Sequence, residues 1–150
     1  MTLSGHDFVG VFAVLRRGER TLLVANDREI GGALQRTWDL PGGRVEPRER
    51  LVEALRRELF EETQMTLVGE PEFAFVQEGE RVVGGGRRYV WRSFFFEIEA
   101  VGEPVASSEV LDTRWLTGKE IGELCQAPYH DSFKQWSRAK AGFFSSDWTD

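Results

Sequence analysis

Glu58, Glu61 and Glu62 crowd into the short stretch RELFEETQ, residues 57–64. At about 100° per residue of helix, Leu51, Ala54, Leu55, Glu61, Glu62 and Met65 all fall within about 60° of Glu58. One stripe therefore begins apolar and turns acidic two turns later, whereas a surface helix ordinarily keeps its charges opposite its apolar face. These carboxylates should reach the rim of the core and point into a cleft. About 6 Å apart, at an effective dielectric near 20, each pair repels by roughly 3 kcal/mol. Such a cluster must protonate, splay into water or bind cations. Oxygen ligands alone on a rigid support suit a hard ion such as Mg2+ or Mn2+. A solvated acidic helix face carries the same residues, and the charge run alone does not separate the two. Arg57 sits beside the stripe, four residues from both Glu53 and Glu61, where it can pair with either and restrain a glutamate rotamer.

Positioning these side chains falls to a helix and the loop before it. Good helix formers run from Arg48 to Glu62 without Gly or Pro, and Pro47 suits a first turn, where no backbone N–H is needed. Pro41-Gly42-Gly43 stops a short strand at 37–40. Glycines there let backbone approach a phosphate without Cβ atoms in the way. Upstream, 7–15 and 20–26 are β-branched and aromatic runs that read as a hairpin turning at 16–18. The polar segment 27–36, with Gly31 and Gly32, reads as a surface loop. Downstream, 72–77 and 87–100 read as an antiparallel pair joined by a long glycine-rich connection, 78–86. A short strand at 113–116 and helices at 118–125 and 130–144 follow, the second capped by Asp131 or Ser132. Residues 145–150 read as a frayed tail. The expected architecture is α+β: one domain over 1–150, with a mixed sheet between helical layers.

At 150 residues, the chain suits one domain whose core needs no staples. Its content of Phe and Trp favours a packed globular protein over disorder. A net charge of −6 argues against coating a nucleic-acid polymer, which needs a basic face. It leaves room for a small anionic substrate, because a bound cation reverses the local sign. Cys125, the single cysteine, cannot form an internal disulfide and reads as a buried thiol in a reducing compartment. The N-terminal stretch has no basic leader before its apolar run, and no run is long enough to span a bilayer. The expectation is a cytoplasmic protein.

The segment GRVEPRERLVEALRRELFEETQM, residues 43–65, resembles the signature of the Nudix hydrolases: Gly, five residues, Glu, seven residues, then Arg-Glu-apolar-x-Glu-Glu-x-Gly-apolar. Gly43, Glu49, Arg57, Glu58, Leu59, Glu61, Glu62 and Met65 fill eight of the nine defined positions at the right spacing, which makes the match highly specific. The lead-in TWDLPGGRVEP is also similar to the family's, and the strand pattern on both sides extends the likeness over most of the chain. Gln64 stands where the family has a glycine that ends the helix in a left-handed turn. With Gln there, the helix is expected to run on slightly or to end through a different geometry.

The resemblance implies the Nudix fold and metal-assisted hydrolysis of a nucleoside diphosphate linked to another group, with Mg2+ or Mn2+ as cofactor. Under it Glu58, Glu61 and Glu62 are the metal ligands, the Gly43 carbonyl is an extra one, and Glu49 and Arg57 hold the carboxylates. Some relatives carry a metal-binding or catalytic glutamate at a place similar to Glu109, which precedes the strand holding Trp115. The alternative for Glu109 is an ordinary loop glutamate. Glu78 and Glu80 could also reach the cleft. Gly42 and Gly43 offer backbone to a phosphate, and Arg87 and Arg88 could clamp one or simply decorate a hairpin. Trp38, Phe75 and Trp91 could stack on a base or pack in the core. His6 and His130 have no partner pattern for metal or catalysis. A nucleoside triphosphate, ordinary or oxidised, is the first substrate expected, followed by dinucleoside polyphosphates and nucleotide sugars. The alternative class is a Nudix-like domain that binds a nucleotide without hydrolysing it. The expected partner is a small-molecule nucleotide, not a nucleic-acid polymer or a membrane, and the resemblance allows a homodimer.

Overall fold

A computed structural model describes residues 7–126, 130–139 and 141–149. At its centre lies strand β1 (Phe8–Arg17), whose side chains alternate between two cores, as a strand's period of two requires. Val11, Ala13 and Leu15 join Leu22, Phe96 and Ile98 beneath helix α1 (Leu51–Thr63). Phe12 and Val14 face the opposite core, which holds Phe75 and Phe95 with Ile121 of α2 (Gly118–Leu124) and Phe133 and Trp136 of α3 (Asp131–Ala139). The sheet is thus sandwiched between α1 and the α2–α3 layer, an α+β arrangement as expected.

The sheet splits beside β1, and the split creates the place where α1 can meet a loop. β1 pairs in parallel with β6 (Arg87–Val101), and β6 pairs antiparallel with β5 (Thr66–Val83). At its far end β1 turns through Gly18 into β2 (Arg20–Ile30), with pairing only at Arg16↔Thr21 and Arg17↔Arg20. The two strands then part. β2 goes on to pair with β3 (Ala33–Asp39) along the same edge and with β7 (Asp112–Leu116) along the other. β4 (Gly42–Arg44) takes the edge of β1 that β2 leaves, with Gly43 beside Val11. The chain crosses between the two branches at Leu40-Pro41, where the Ala13 N–H donates to the Pro41 carbonyl at 2.8 Å.

Residues 27–36 are not a loop. β2 and β3 run on as a hairpin to Ile30 and Ala33, turning on Gly31 and Gly32 at φ 61° and 80°. Two-residue hairpin turns favour such glycines, and the segment is polar because the hairpin end projects into solvent. Residues 78–86 are not a long connection either, since β5 reaches Val83 and only Gly84–Gly86 turns before β6. Residues 143–149 add strand to the sheet. β8 (Phe143–Ser145) and β9 (Trp148–Thr149) run parallel along β5, which shortens the last helix to Asp131–Ala139. Gly79 permits that crossing, because a Cβ there would strike the Ser146 carbonyl and the Trp91 ring. α1 begins at Leu51 rather than Arg48, because Arg48 takes a positive φ of 70° that no helix accommodates. Among the described residues no helix is long and apolar enough to cross a membrane.

Candidate active site

The acidic turn of α1 comes down on β4. The Glu62 carboxylate accepts the Gly42 N–H at 2.7 Å. The Glu58 carboxylate rests on the Gly43 backbone, where a Cβ would come within 2.7 Å of the carboxyl carbon. A Cβ on Gly42 would strike the Val11 carbonyl. Glycine at both positions is therefore a matter of contact: backbone and carboxylate occupy the space of the missing side chains. The helical stripe is buried at Ala54, Leu55 and Leu59 and opens at its acidic end, where side-chain exposure rises from 17% at Glu58 to 44% at Glu61. Glu62 remains buried against the loop. α1 then ends at Gln64 with φ 62° and ψ 12°, its N–H donating to the Phe60 carbonyl at 2.9 Å. The left-handed helix end is kept without glycine, so neither the extension nor the altered corner expected of Gln64 occurs.

Arg57 uses all five of its N–H donors to organise this corner. Nε and Nη2 fork onto the two oxygens of Glu49 at 2.8 and 2.9 Å, and Nη2 also reaches the Arg44 carbonyl at 3.0 Å. Nη1 is shared between Glu58 at 2.9 Å and Glu61 at 3.2 Å. Of the two four-residue spacings open to it, Arg57 uses the one to Glu61, and Glu49 supplies the other anchor. The Arg57 fork, with help from the Glu46 N–H, holds the Glu49 carboxyl at about 2, and Glu49 and Glu58 in turn raise the Arg57 guanidinium above its usual range. This pair therefore stays ionised at any ordinary pH.

Glu58 and Glu62 experience the opposite pull. Burial pushes Glu62 up to about 8, against the stabilising Gly42 N–H and with added repulsion from Glu58. Burial also raises Glu58, opposed by Arg57 and reinforced by the charges of Glu61 and Glu109. Glu109 arrives from far along the chain. The Val105 N–H donates to the Thr63 carbonyl at 2.9 Å and the Ser107 N–H to the Glu62 carbonyl at 3.4 Å, docking the loop onto the end of α1. The Ser107 hydroxyl then accepts the Glu109 N–H at 3.1 Å. The structure thus brings Glu49, Arg57, Glu58, Glu61, Glu62, Gly42, Gly43 and Glu109 together.

It does not bring Arg87 and Arg88 to them. Phe94 is level with Val11 and Gly43, and Arg88 lies six residues earlier on β6, roughly 20 Å along the strand. Arg88 pairs with Glu80 at 2.8 Å and Arg92 with Glu78 at 2.7 Å, so these glutamates belong to the hairpin ladder. Trp38, Phe75 and Trp91 are buried, with Phe75 stacked on Phe95 at 4.3 Å, and so they pack the core. Cys125 is buried too, its thiol pushed up to about 12 by desolvation. His130 is fully buried and accepts the Leu40 N–H at 2.9 Å, fixing the approach to Pro41, while His6 lies outside the described residues. Sequence reasoning missed Asp39 and Arg28. Asp39 Oδ2 gathers Asn26, Arg28 and Thr37 at 3.0–3.1 Å, and the charges of Arg28 and Asp39 both reach Glu62. The one local signal was an acid placed directly before Leu40-Pro41-Gly42-Gly43.

Among the described residues no three Asp, Glu, His or Cys side chains stand as a ready metal cage. Arg57 holds Glu58 and Glu61 while the loop holds Glu62. The donor set nevertheless fits a hard divalent cation: its side-chain donors are all carboxylates, two of them desolvated, with more negative charge than one guanidinium offsets. The model of the NUDIX domain matches residues 6–137.

The chain belongs to the NUDIX family.

Solved structures similar to this NUDIX domain include the MutT protein from Methanosarcina mazei Go1, 28% identical, with TM-score 0.68 over 92% of this chain and 98% of that one. The Escherichia coli ORF135 protein is 24% identical, with TM-score 0.69 over 89% of this chain and 93% of that one. A MutT protein from Bacillus halodurans is 20% identical, with TM-score 0.69 over 95% and 89%. The latter two show the shared fold. No curated protein sequence matches the chain.

Proposed function

We propose that this Nudix domain hydrolyses the pyrophosphate linkage of a nucleoside diphosphate derivative, a nucleoside triphosphate first among them, with Mg2+ or Mn2+ as cofactor. The observation that carries this reading is the convergence of Glu58, Glu61 and Glu62 over the Gly42-Gly43 backbone, with Glu58 and Glu62 desolvated and short of positive charge. Glu58, Glu61 and Glu62 would hold the metal, with the Gly43 carbonyl as a further oxygen. When bound, the metal supplies charge neutralisation at the pyrophosphate and a water of lowered pKa.

The chain's own residues orient and hold. Arg57, anchored on Glu49 and the Arg44 carbonyl, fixes the rotamers of Glu58 and Glu61. Glu62 ties the helix to the loop through Gly42. To Glu109 we assign removal of the proton from the attacking water; its nearness to Glu58 supports the role. Gly42 and Gly43 present backbone to a phosphate without side chains in the way. Arg87 and Arg88 have no part in this reading. The net charge of −6 supports a small-molecule nucleotide rather than a polymer, and the expected setting is the cytoplasm.

The test is a panel of nucleoside triphosphates, dinucleoside polyphosphates and nucleotide sugars, scored by product identity with Mg2+, with Mn2+ and with EDTA. Turnover should require the metal. Glu61→Gln should lower it at least about 100-fold while the unfolding midpoint holds, since a lost ligand costs several kcal/mol of transition-state stabilisation. Turnover in EDTA, or an unchanged rate in Glu61→Gln, overturns the site. Binding without product across the whole panel would make the domain a sensor instead.

A further inference from the structure

A cavity of about 310 Å3 opens on the sheet face away from α1, between the β1–β2 turn, α2 and α3. Its floor is apolar, made by the nearly buried Ile121 and Phe133. Among the described residues three cations stand on its walls, Arg16 from β1 and Lys134 and Arg138 one turn apart on α3, and Glu19 is the one carboxylate of the lining. The cations are poorly matched elsewhere. Arg16 lies 3.6 Å from Glu97 and Lys134 lies 3.8 Å from Asp131, both beyond hydrogen-bond length. Arg138 has no carboxylate partner within ion-pair distance among the described residues. Like charges four residues apart on a helix repel, and Arg16 faces the same space while its guanidinium stays 5.4 Å above the Trp136 ring. Glu19, Glu97 and Asp131 offset the three cations in number, but none of these carboxylates hydrogen-bonds to them, which leaves guanidinium and ammonium N–H groups that an anion can take up.

The volume lies at the lower end of small-molecule sites. It leaves room for a phosphate joined to a compact body, and the Ile121–Phe133 floor suits the face of a ring. The cavity is separate from the glutamates. Arg16 lies five residues along β1 from Val11, the partner of Gly43, roughly 17 Å away, and on the opposite face of the sheet.

We infer that this cavity binds a small phosphorylated molecule, its phosphate held by Arg16, Lys134 and Arg138 and its body resting on Ile121 and Phe133. The test is calorimetric titration of the full chain in EDTA, once with AMP and once with inorganic phosphate. Binding should saturate at one site per chain and weaken as salt rises. Joint Lys134→Ala and Arg138→Ala substitution should weaken it at least roughly tenfold, since each side chain supplies charge-assisted hydrogen bonds. Glu61→Gln and Arg36→Ala should leave it unchanged. Binding of AMP alone shows that the ring is needed, whereas binding of both probes shows that phosphate suffices; either upholds the site. The inference is overturned if neither probe saturates, if the double variant binds as tightly as the original chain, or if Glu61→Gln shifts the affinity roughly tenfold or more in either direction. Should the double variant fail to fold, Arg16→Gln gives the same readout alone.

Discussion

Substituting Glu62 by Gln in metal-free protein isolates what it costs to bury a carboxylate in this loop. Glu62 ionises near 4.5 in the unfolded chain and at about 8 in the folded one, chiefly through desolvation. Between those values the folded protein holds one more proton than the unfolded chain. Its stability therefore falls as pH rises through that window and levels off above it. The displacement corresponds to at most ~5 kcal/mol at 1.36 kcal/mol per unit, and water reaching a residue at the rim of the core reduces the expected figure to roughly 2–3 kcal/mol. Gln keeps an oxygen for the Gly42 N–H and removes the charge, so the variant's decline should be much shallower. Glu58, shifted in the same direction by burial, leaves a residual slope. Urea unfolding in EDTA between about pH 5 and pH 8.5 measures both proteins. Wild type and variant should nearly coincide at the acidic end, where both side chains are neutral, and separate as pH rises, the wild type falling roughly 2–3 kcal/mol below the variant at the alkaline end. Adding Mg2+ at the alkaline end should restore stability to the wild type far more than to the variant. Parallel decline of the two proteins in EDTA would refute the argument that Glu62 is a buried, charge-starved acid.

Gly43→Ala should destabilise by about 1–3 kcal/mol and lower turnover together, because the new methyl would displace the Glu58 carboxylate; an unchanged unfolding midpoint counts against that contact. Gln64→Gly should raise stability by roughly 1 kcal/mol with turnover intact, since the left-handed helix end is already formed and only its backbone strain is relieved. A large gain in turnover would show instead that the corner impairs the native site. Glu109→Gln should lower turnover by more than about tenfold while nucleotide binding persists, as a general base contributes roughly 100-fold or more; a smaller loss makes Glu109 a bystander.

What was legible in the sequence was local. The acidic turn of α1, its apolar stripe and the Pro41-Gly42-Gly43 stop are all set by neighbours a few residues away. Their periodicity and breakers therefore survive as a readable pattern. The same reasoning placed Glu58, Glu61 and Glu62 at a core rim, and that is where they lie. It failed at 27–36, where polar composition reads as a loop although backbone pairing between β2 and β3 makes a hairpin whatever the exposed side chains are.

The sequence by itself determined the helix, its acidic face and the family, because spacing along one element needs no partner. Only the tertiary structure decided which candidates share the site. Glu109 comes near enough for its charge to act on Glu58 because a loop docks on the end of α1. Glu78, Glu80, Arg87 and Arg88 stay away because β6 pairs β5 and β1 in a register that carries them past the loop. The tail becomes strand because Gly79 leaves room for it to cross β5. Each outcome rests on contacts between residues far apart in the chain, and strand register and burial exist only once those distant segments have met.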